Sequence, residues 1–174
     1  SFKMGPPEDF SNFINAVINE KSFDRLSSYI DRAKNDSNAE IITGGNYDKS
    51  KGYFIEPTVI LTTDPSYVTM CEELFGPVAA VIAVPDETTA IEVANDTKYG
   101  LGGSVYTRDV ERGRRVAEQI ESGMVFINYP VYTFEDIPFG GTKKSGYGRE
   151  TGALGIQEFL NKKVVRVRPD SVRT

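Results

Sequence analysis

The chain has 174 residues, 39% hydrophobic and 26% charged, enough for one ordinary domain with a real core. Its net charge of −5 weighs against nucleic acid as a partner, and no apolar run approaches the roughly 18 residues of a membrane span. With no histidine and one cysteine, Cys71, the chain cannot hold a His-based triad, a histidine or thiolate zinc site, or an internal disulfide. Together with a start, SFKMGPPEDF, that lacks a signal-peptide layout, this points to a reducing compartment: the cytoplasm, or the mitochondrial matrix in a eukaryote.

Phe23, Leu26, Ile30 and Ala33 recur at steps of three and four and predict a helix from Ser22 to about Asn35. The stretch NDSNAEIITGGN leaves that helix through a short apolar run to a turn at Gly44-Gly45. GYFIEPTVILTT, rich in β-branched and aromatic residues, reads as extended with a break or an edge at Pro57. VAAVIAV (78–84) is continuously apolar, the pattern of a strand buried on both faces. Asp86 is a good N-cap for a helix through about Asn95, with Ala90, Val93 and Ala94 on one side.

YGLGGSVYT gives glycines and then a short strand, and Asp109 caps a helix whose apolar side is Val110, Val116, Ala117 and Ile120. Arg108, Arg112, Arg114 and Arg115 are interleaved with acids, so a solvated helix face is a better reading than a nucleic-acid patch. GMVFIN (123–128) reads as another buried strand, followed by a long loop, a glycine-rich segment, a short helix near 152–160 and KVVRVRP. Strands alternating with helices predict an α/β fold with a partly parallel sheet flanked by helices. No linker interrupts the pattern, so one domain is expected. The last strand, about 163–168, alternates Val165 and Val167 with Arg166 and Arg168 and is free to pair with another chain.

Two segments could carry chemistry. The stretch 128–152 holds five glycines together with Tyr129, Tyr132, Phe134, Phe139 and Tyr147. A loop of that length is either functional or a surface loop whose aromatics plug the core. Phosphate-cradling fingerprints are absent: GYGRETG has three residues after G-x-G, and GGTKKSG lacks P-loop spacing. In CEELFGPV, two carboxylates precede a turn into a strand, where they could bond a ribose diol or simply be solvated. Cys71 has no histidine to activate it, and the adjacent glutamates repel the negative charge that a nucleophilic sulfur must carry.

Six stretches in order resemble the C-terminal portion of the NAD(P)-dependent aldehyde dehydrogenase superfamily. They are GYFIEPTVI (52–60), EELFGPVAAVIAV (72–84), AIEVANDTKYGLGGSVYTRD (90–109), SGMVFIN (122–128), PFGGTKKSGYGRETG (138–152) and EFLNKKVV (158–165). The resemblance implies an aldehyde dehydrogenase C-terminal fold with a C-terminal oligomerisation strand. It also implies that Glu73 of EE-x-FGPV holds the nicotinamide ribose of NAD or NADP and that Phe75 packs near the nicotinamide. The loop from Asn128 to PFGG would line the aldehyde tunnel, with Thr133 and Phe139 next to substrate; Thr133 holds the position that helps bind the substrate carboxylate in succinate-semialdehyde members.

The N-terminal third, EDFSNFINAVINEKSFDRLSSYIDRAKND with GGNYDKSKGYFIEPTVI, looks like pyrroline-5-carboxylate dehydrogenase. The C-terminal part, GMVFINYP with GIQEFLNKKVV, looks like succinate-semialdehyde dehydrogenase and tips the substrate expectation that way. In the family a thiolate attacks the aldehyde, hydride leaves to the nicotinamide and water hydrolyses the thioester. The nucleophilic cysteine sits in a GQ-x-C type motif upstream of the region matched, with the general-base glutamate and the NAD-binding domain further upstream. The chain contains no GQ-x-C and begins near the family's K-x-GDP segment, here KMGPP. Residues 1–174 are therefore expected to be part of a catalytic domain, inactive alone, with no catalytic residue and no metal ligand of their own. The expected partners are a small aldehyde and a second copy of the chain, with neither nucleic acid nor membrane. Two alternatives are a stand-alone oligomerisation or interaction module without catalysis, and a nucleotide-binding regulatory domain, which the absent fingerprints disfavour.

Overall fold

The computed structural model describes residues 2–168 and divides the chain into two compact units, Ser1–Ala90 and Ile91–Thr174. Both units are of the α/β class. No linker signals the division because the boundary falls inside a helix, Glu87–Asn95.

The first unit contains α1 (Glu20–Lys34), β1 (Ala39–Thr43), β2 (Tyr47–Asp48), β3 (Phe54–Ile55), β4 (Thr58–Thr62), α2 (Val68–Cys71) and β5 (Val78–Ile82). α1 starts where Asn19 accepts the Ser22 N–H at 2.9 Å, satisfying one of the donors a helix start leaves free. Its predicted stripe, Phe23, Leu26, Ile30 and Ala33, is buried and meets Ile55, Ile60, Tyr67, Leu74 and Val78. A three-stranded sheet runs in the order β1-β4-β5, with β1 antiparallel and β5 parallel to β4. Central β4 alternates buried and half-buried residues. Its inward hydroxyls are satisfied, Thr58 accepting from Gly45 N at 2.9 Å and Thr62 donating to Asn38 O at 2.9 Å. Pro57 separates β3 from β4, and β2 pairs with β3 as a small hairpin. β5 is not buried on both faces, since Val81 is 44% exposed. As the sheet's edge, β5 has only β4 beside it among the described residues.

α3 (Glu87–Asn95) begins where Asp86 accepts the Thr89 N–H at 2.8 Å and leads into the second unit. That unit contains β6 (Tyr99–Gly100), β7 (Gly102–Val105), α4 (Val110–Ala117), β8 (Met124–Ile127), β9 (Thr142–Lys143) and α5 (Gly152–Gln157). β7 and β8 are parallel, with Gly102 opposite Met124, and β6 pairs antiparallel with β9. Asp109 caps α4 as expected, accepting the Arg112 N–H at 2.9 Å, and α4 packs on β7 and β8. Because β7 is its one partner among the described strands, β8 is less enclosed than its sequence suggests: Met124 is buried and the next three residues are half-buried.

Residues 163–168 form no strand in this chain, and Val164 is 91% exposed. A strand's hydrogen bonds need a neighbour, and no other strand of the described chain pairs there. Pro169, the end of the sequence stretch read as that strand, lies outside the described residues. No helix among the described residues is long and apolar enough to cross a membrane.

Candidate functional site

In the first unit the loop from Glu72 to Gly76 leaves α2 and feeds β5. Its side chains alternate. Leu74 is buried at 7% exposure in the core, whereas Glu73 and Phe75 on either side of it are exposed. The Glu73 carboxylate makes no hydrogen bond or ion pair with any described residue. Phe75 is 79% exposed and has φ of 55°, a left-handed backbone that costs a bulky residue about 1–3 kcal/mol.

That conformation is held from α1. The Arg25 guanidinium donates from Nη1 to Glu73 O at 3.0 Å and from Nη2 to Leu74 O. The Tyr29 hydroxyl donates to the Glu72 carboxylate, which raises the Tyr29 pKa because the neutral phenol is the donor. A Cβ on Gly76 would lie 2.4 Å from Leu26 Cδ1, so any larger residue there would have to displace the buried Leu26 side chain. Arg25 and Tyr29 were missed in the sequence, although with Arg32 they recur at four and three residues along the flank of the core stripe.

Cys71, the last residue of α2, is exposed and free, and its sulfur lies 3.9 Å from Pro65 O. The two predicted cofactor contacts thus share one loop, and the thiol stands apart from their anchoring.

In the second unit the loop after β8 carries Thr133 and Phe139. Thr133 is exposed and sits within an aromatic group in which Tyr132 meets Phe134 edge-on at 5.2 Å, and Tyr129 lies 5.9 Å from Phe134. Phe126 at 6.5 Å ties this group to β8. These rings pack on one another, with Tyr129 and Tyr132 mostly exposed, so they do not simply plug the core.

Phe139 is half-buried and fixed by a two-way backbone bridge to Glu150, 2.8 and 2.7 Å. It lines a pocket of about 270 Å³ with Gly140, Tyr147, Arg149, Glu158 and Phe159, a pocket that Thr133 does not reach. Arg149 Nη1 donates to Gly141 O at 3.0 Å and to Gly148 O at 2.6 Å, stapling the two ends of the glycine-rich segment. The basic cluster of α4 is a solvated face, with Arg114 3.4 Å from Glu111. Among the described residues no group of histidine, cysteine or carboxylates is arranged to hold a metal.

A model described as the aldehyde dehydrogenase family matches residues 1–165. The chain is 41% identical over 169 residues to succinate-semialdehyde dehydrogenase (NADP(+)) of Deinococcus radiodurans, covering 97% of the chain and 35% of that protein. It is 40% identical over 167 residues to the chloroplastic betaine aldehyde dehydrogenase of Beta vulgaris, covering 95% of the chain and 33% of that protein. Among solved structures, the Mycobacterium tuberculosis aldehyde dehydrogenase complexed with NAD+ superposes with a TM-score of 0.88 at 38% identity over 100% of this chain and 36% of that one. The Staphylococcus aureus betaine aldehyde dehydrogenase in complex with NAD+ gives 0.85 at 35% identity, covering 99% and 36%. The chain thus spans about a third of the length of the curated relatives it matches. With the EE-x-FGPV loop and the PFGG segment lying within a family match over nearly all of its length, the chain belongs to the aldehyde dehydrogenase family.

Proposed function

We propose that this chain is the cofactor-positioning, substrate-lining and assembly part of an NAD(P)-dependent aldehyde dehydrogenase acting on a carboxylate-bearing semialdehyde. Succinate semialdehyde is favoured, with glutamate semialdehyde, the open form of pyrroline-5-carboxylate, next. The observation that carries the reading is the pair Glu73 and Phe75, exposed on either side of a buried Leu74.

The two side chains fit a nicotinamide nucleoside. A carboxylate accepts hydrogen bonds only, which suits the two O–H donors of a ribose diol, and an uncovered phenyl ring suits a flat, partly apolar heterocycle. When bound, the nicotinamide supplies the hydride acceptor. Glu73 orients the ribose through charge-assisted bonds, and Phe75 shields the ring from water. The Thr133 hydroxyl donates to the substrate carboxylate, and Phe139 walls the tunnel. Residues 163–168 find in a second copy the strand neighbour they lack in this chain. The nucleophilic cysteine and the general-base glutamate come from the part of the family fold that this chain does not span. Cys71 is a bystander.

The Deinococcus relative, named for succinate semialdehyde, and the hydroxyl at Thr133 support the semialdehyde reading. The aromatic group Tyr129, Tyr132 and Phe134, followed by Glu135 and Asp136, favours a second one: rings and carboxylates attract a cationic aldehyde such as the substrate named for the betaine relatives.

The test is single-turnover reduction of NAD(P)+ by the full-length enzyme with succinate semialdehyde, glutamate semialdehyde and betaine aldehyde. Glu73→Gln weakens a charge-assisted bond, and the expected loss is about tenfold in the hydride-transfer rate. An unchanged rate rejects Glu73 as a cofactor contact, and faster turnover of betaine aldehyde selects the second substrate.

A further inference from the structure

We propose that Arg25 is a positioning residue for the nicotinamide side of the site, setting the directions in which Glu73 and Phe75 leave the backbone. This rests on the reading of those two residues as cofactor contacts.

The loop has three anchors, and they do different things. Burial of Leu74 fixes how deep the loop sits, and Leu26 beneath Gly76 fixes its distance from α1. Neither fixes how the peptide planes are turned. Arg25 does, because its two terminal nitrogens take the carbonyl oxygens of consecutive residues, Glu73 and Leu74. Those carbonyls belong to the peptide links 73–74 and 74–75, the second of which leads into the left-handed Phe75. The rigid fork of a guanidinium can hold two such oxygens at once, whereas a lysine ammonium on a flexible stem is a single point.

Arg25 is not acting as a surface charge, since it forms no ion pair with any described carboxylate. The residue is also far away in the chain, 48 positions from Glu73, so the loop's geometry depends on the core of α1 being folded beneath it. Tyr29, one turn further along, ties Glu72 at the loop's entry. With the carbonyls released, Leu74 stays in the core while Glu73 and Phe75 swing. Displacement of a reacting group by about an ångström can cost on the order of 100-fold in rate.

The experiment compares Arg25→Ala, Arg25→Lys and Glu73→Gln in the full-length enzyme. Two readouts are the dissociation constant and the fluorescence lifetime of bound NADH. A third is the hydride-transfer rate, with the primary deuterium isotope effect from substrate deuterated at its formyl carbon. Arg25→Ala is expected to shift the bound-NADH lifetime toward that of free NADH and slow hydride transfer by about 10- to 100-fold, with aldehyde KM within about twofold. Arg25→Lys is expected to fall between Ala and wild type.

A purely structural role would lower the melting temperature but leave lifetime and hydride transfer per folded molecule at wild-type values, which overturns the proposal. If Arg25→Ala does not fold, Arg25→Gln, which keeps much of the stem and one donor, decides the question by the same readouts. Wild-type NADH binding, lifetime and hydride transfer in Glu73→Gln overturn the cofactor reading itself. A deficit in Glu73→Gln with none in the Arg25 variants overturns only the role of Arg25.

Discussion

Asn128 bonds the Thr107 backbone with both ends of its side-chain amide, Oδ1 accepting from Thr107 N and Nδ2 donating to Thr107 O, each at 2.8 Å. Its own N–H donates to Val105 O at 2.8 Å, so the β7–β8 pairing is carried one step past the strand by a side chain. At the same residue the backbone turns to φ of 56°, a left-handed geometry that asparagine tolerates better than most residues. Asn128 is therefore the fixed point from which the Thr133 loop departs.

Replacing it separates the two contributions. Asn128→Ala loses both amide bonds, each worth about 0.5–1.5 kcal/mol, and puts a methyl-bearing residue in a strained backbone. Asn128→Gly loses the same bonds but relaxes the backbone. Alanine is expected to be the more destabilising by about 1 kcal/mol in denaturant unfolding. Equal midpoints with equal slopes would show that the hydrogen bonds alone hold the turn.

Gly123 meets a different constraint. A Cβ there would lie 1.9 Å from Gly140 O and 2.7 Å from Gly140 C, a clash with backbone that no rotamer can relieve. Gly140 follows Phe139, so the strain is transmitted to the proposed tunnel wall. Gly123→Ala is expected to cost at least about 1–3 kcal/mol and to lower aldehyde turnover in the full-length enzyme. Gly103→Ala is the control: its Cβ would make an ordinary 3.4 Å contact with Ile120 Cγ2, and its stability should stay within about 0.5 kcal/mol of wild type. Similar losses at both positions would refute the backbone-clash argument.

What the sequence revealed and what it concealed follow from the range of the forces involved. The α1 stripe, the caps Asp86 and Asp109 and the break at Pro57 are local, written within a few residues, and the structure has all of them. The pattern of β5 says that it is apolar, not what covers it, and in this chain it is an edge with Val81 exposed. Residues 163–168 have strand alternation, but pairing depends on a neighbour that the described chain does not provide. The EE-x-FGPV motif stands out through family resemblance, while the fork of Arg25 beneath it does not, because a helix and a loop 48 residues apart share no local signal.

Tyr47 makes the fold sensitive to alkali in a predictable direction. Its hydroxyl lies 2.8 and 2.7 Å from the two oxygens of Asp31, and its ring meets Phe23 edge-on at 5.7 Å. The hydrogen bond to Asp31, then burial, then the charge of the carboxylate raise the Tyr47 pKa, since each disfavours a phenolate there. A tyrosine in the unfolded chain titrates near 10. With the folded value higher, the folded state holds the proton longer, so the stabilisation is fully present below about pH 10 and is lost as pH rises through the folded value. Tyr29, raised by its bond to Glu72, contributes with the same sign. Tyr47→Phe keeps the ring against Phe23 but cannot donate or ionise. Its melting temperature is expected to lie below wild type at pH 8 and to fall less steeply above about pH 10, so that the two curves converge. Calorimetric scans from about pH 8 to 11 would show this, and curves that remain parallel across that range would rule out a folded-state proton held between Tyr47 and Asp31.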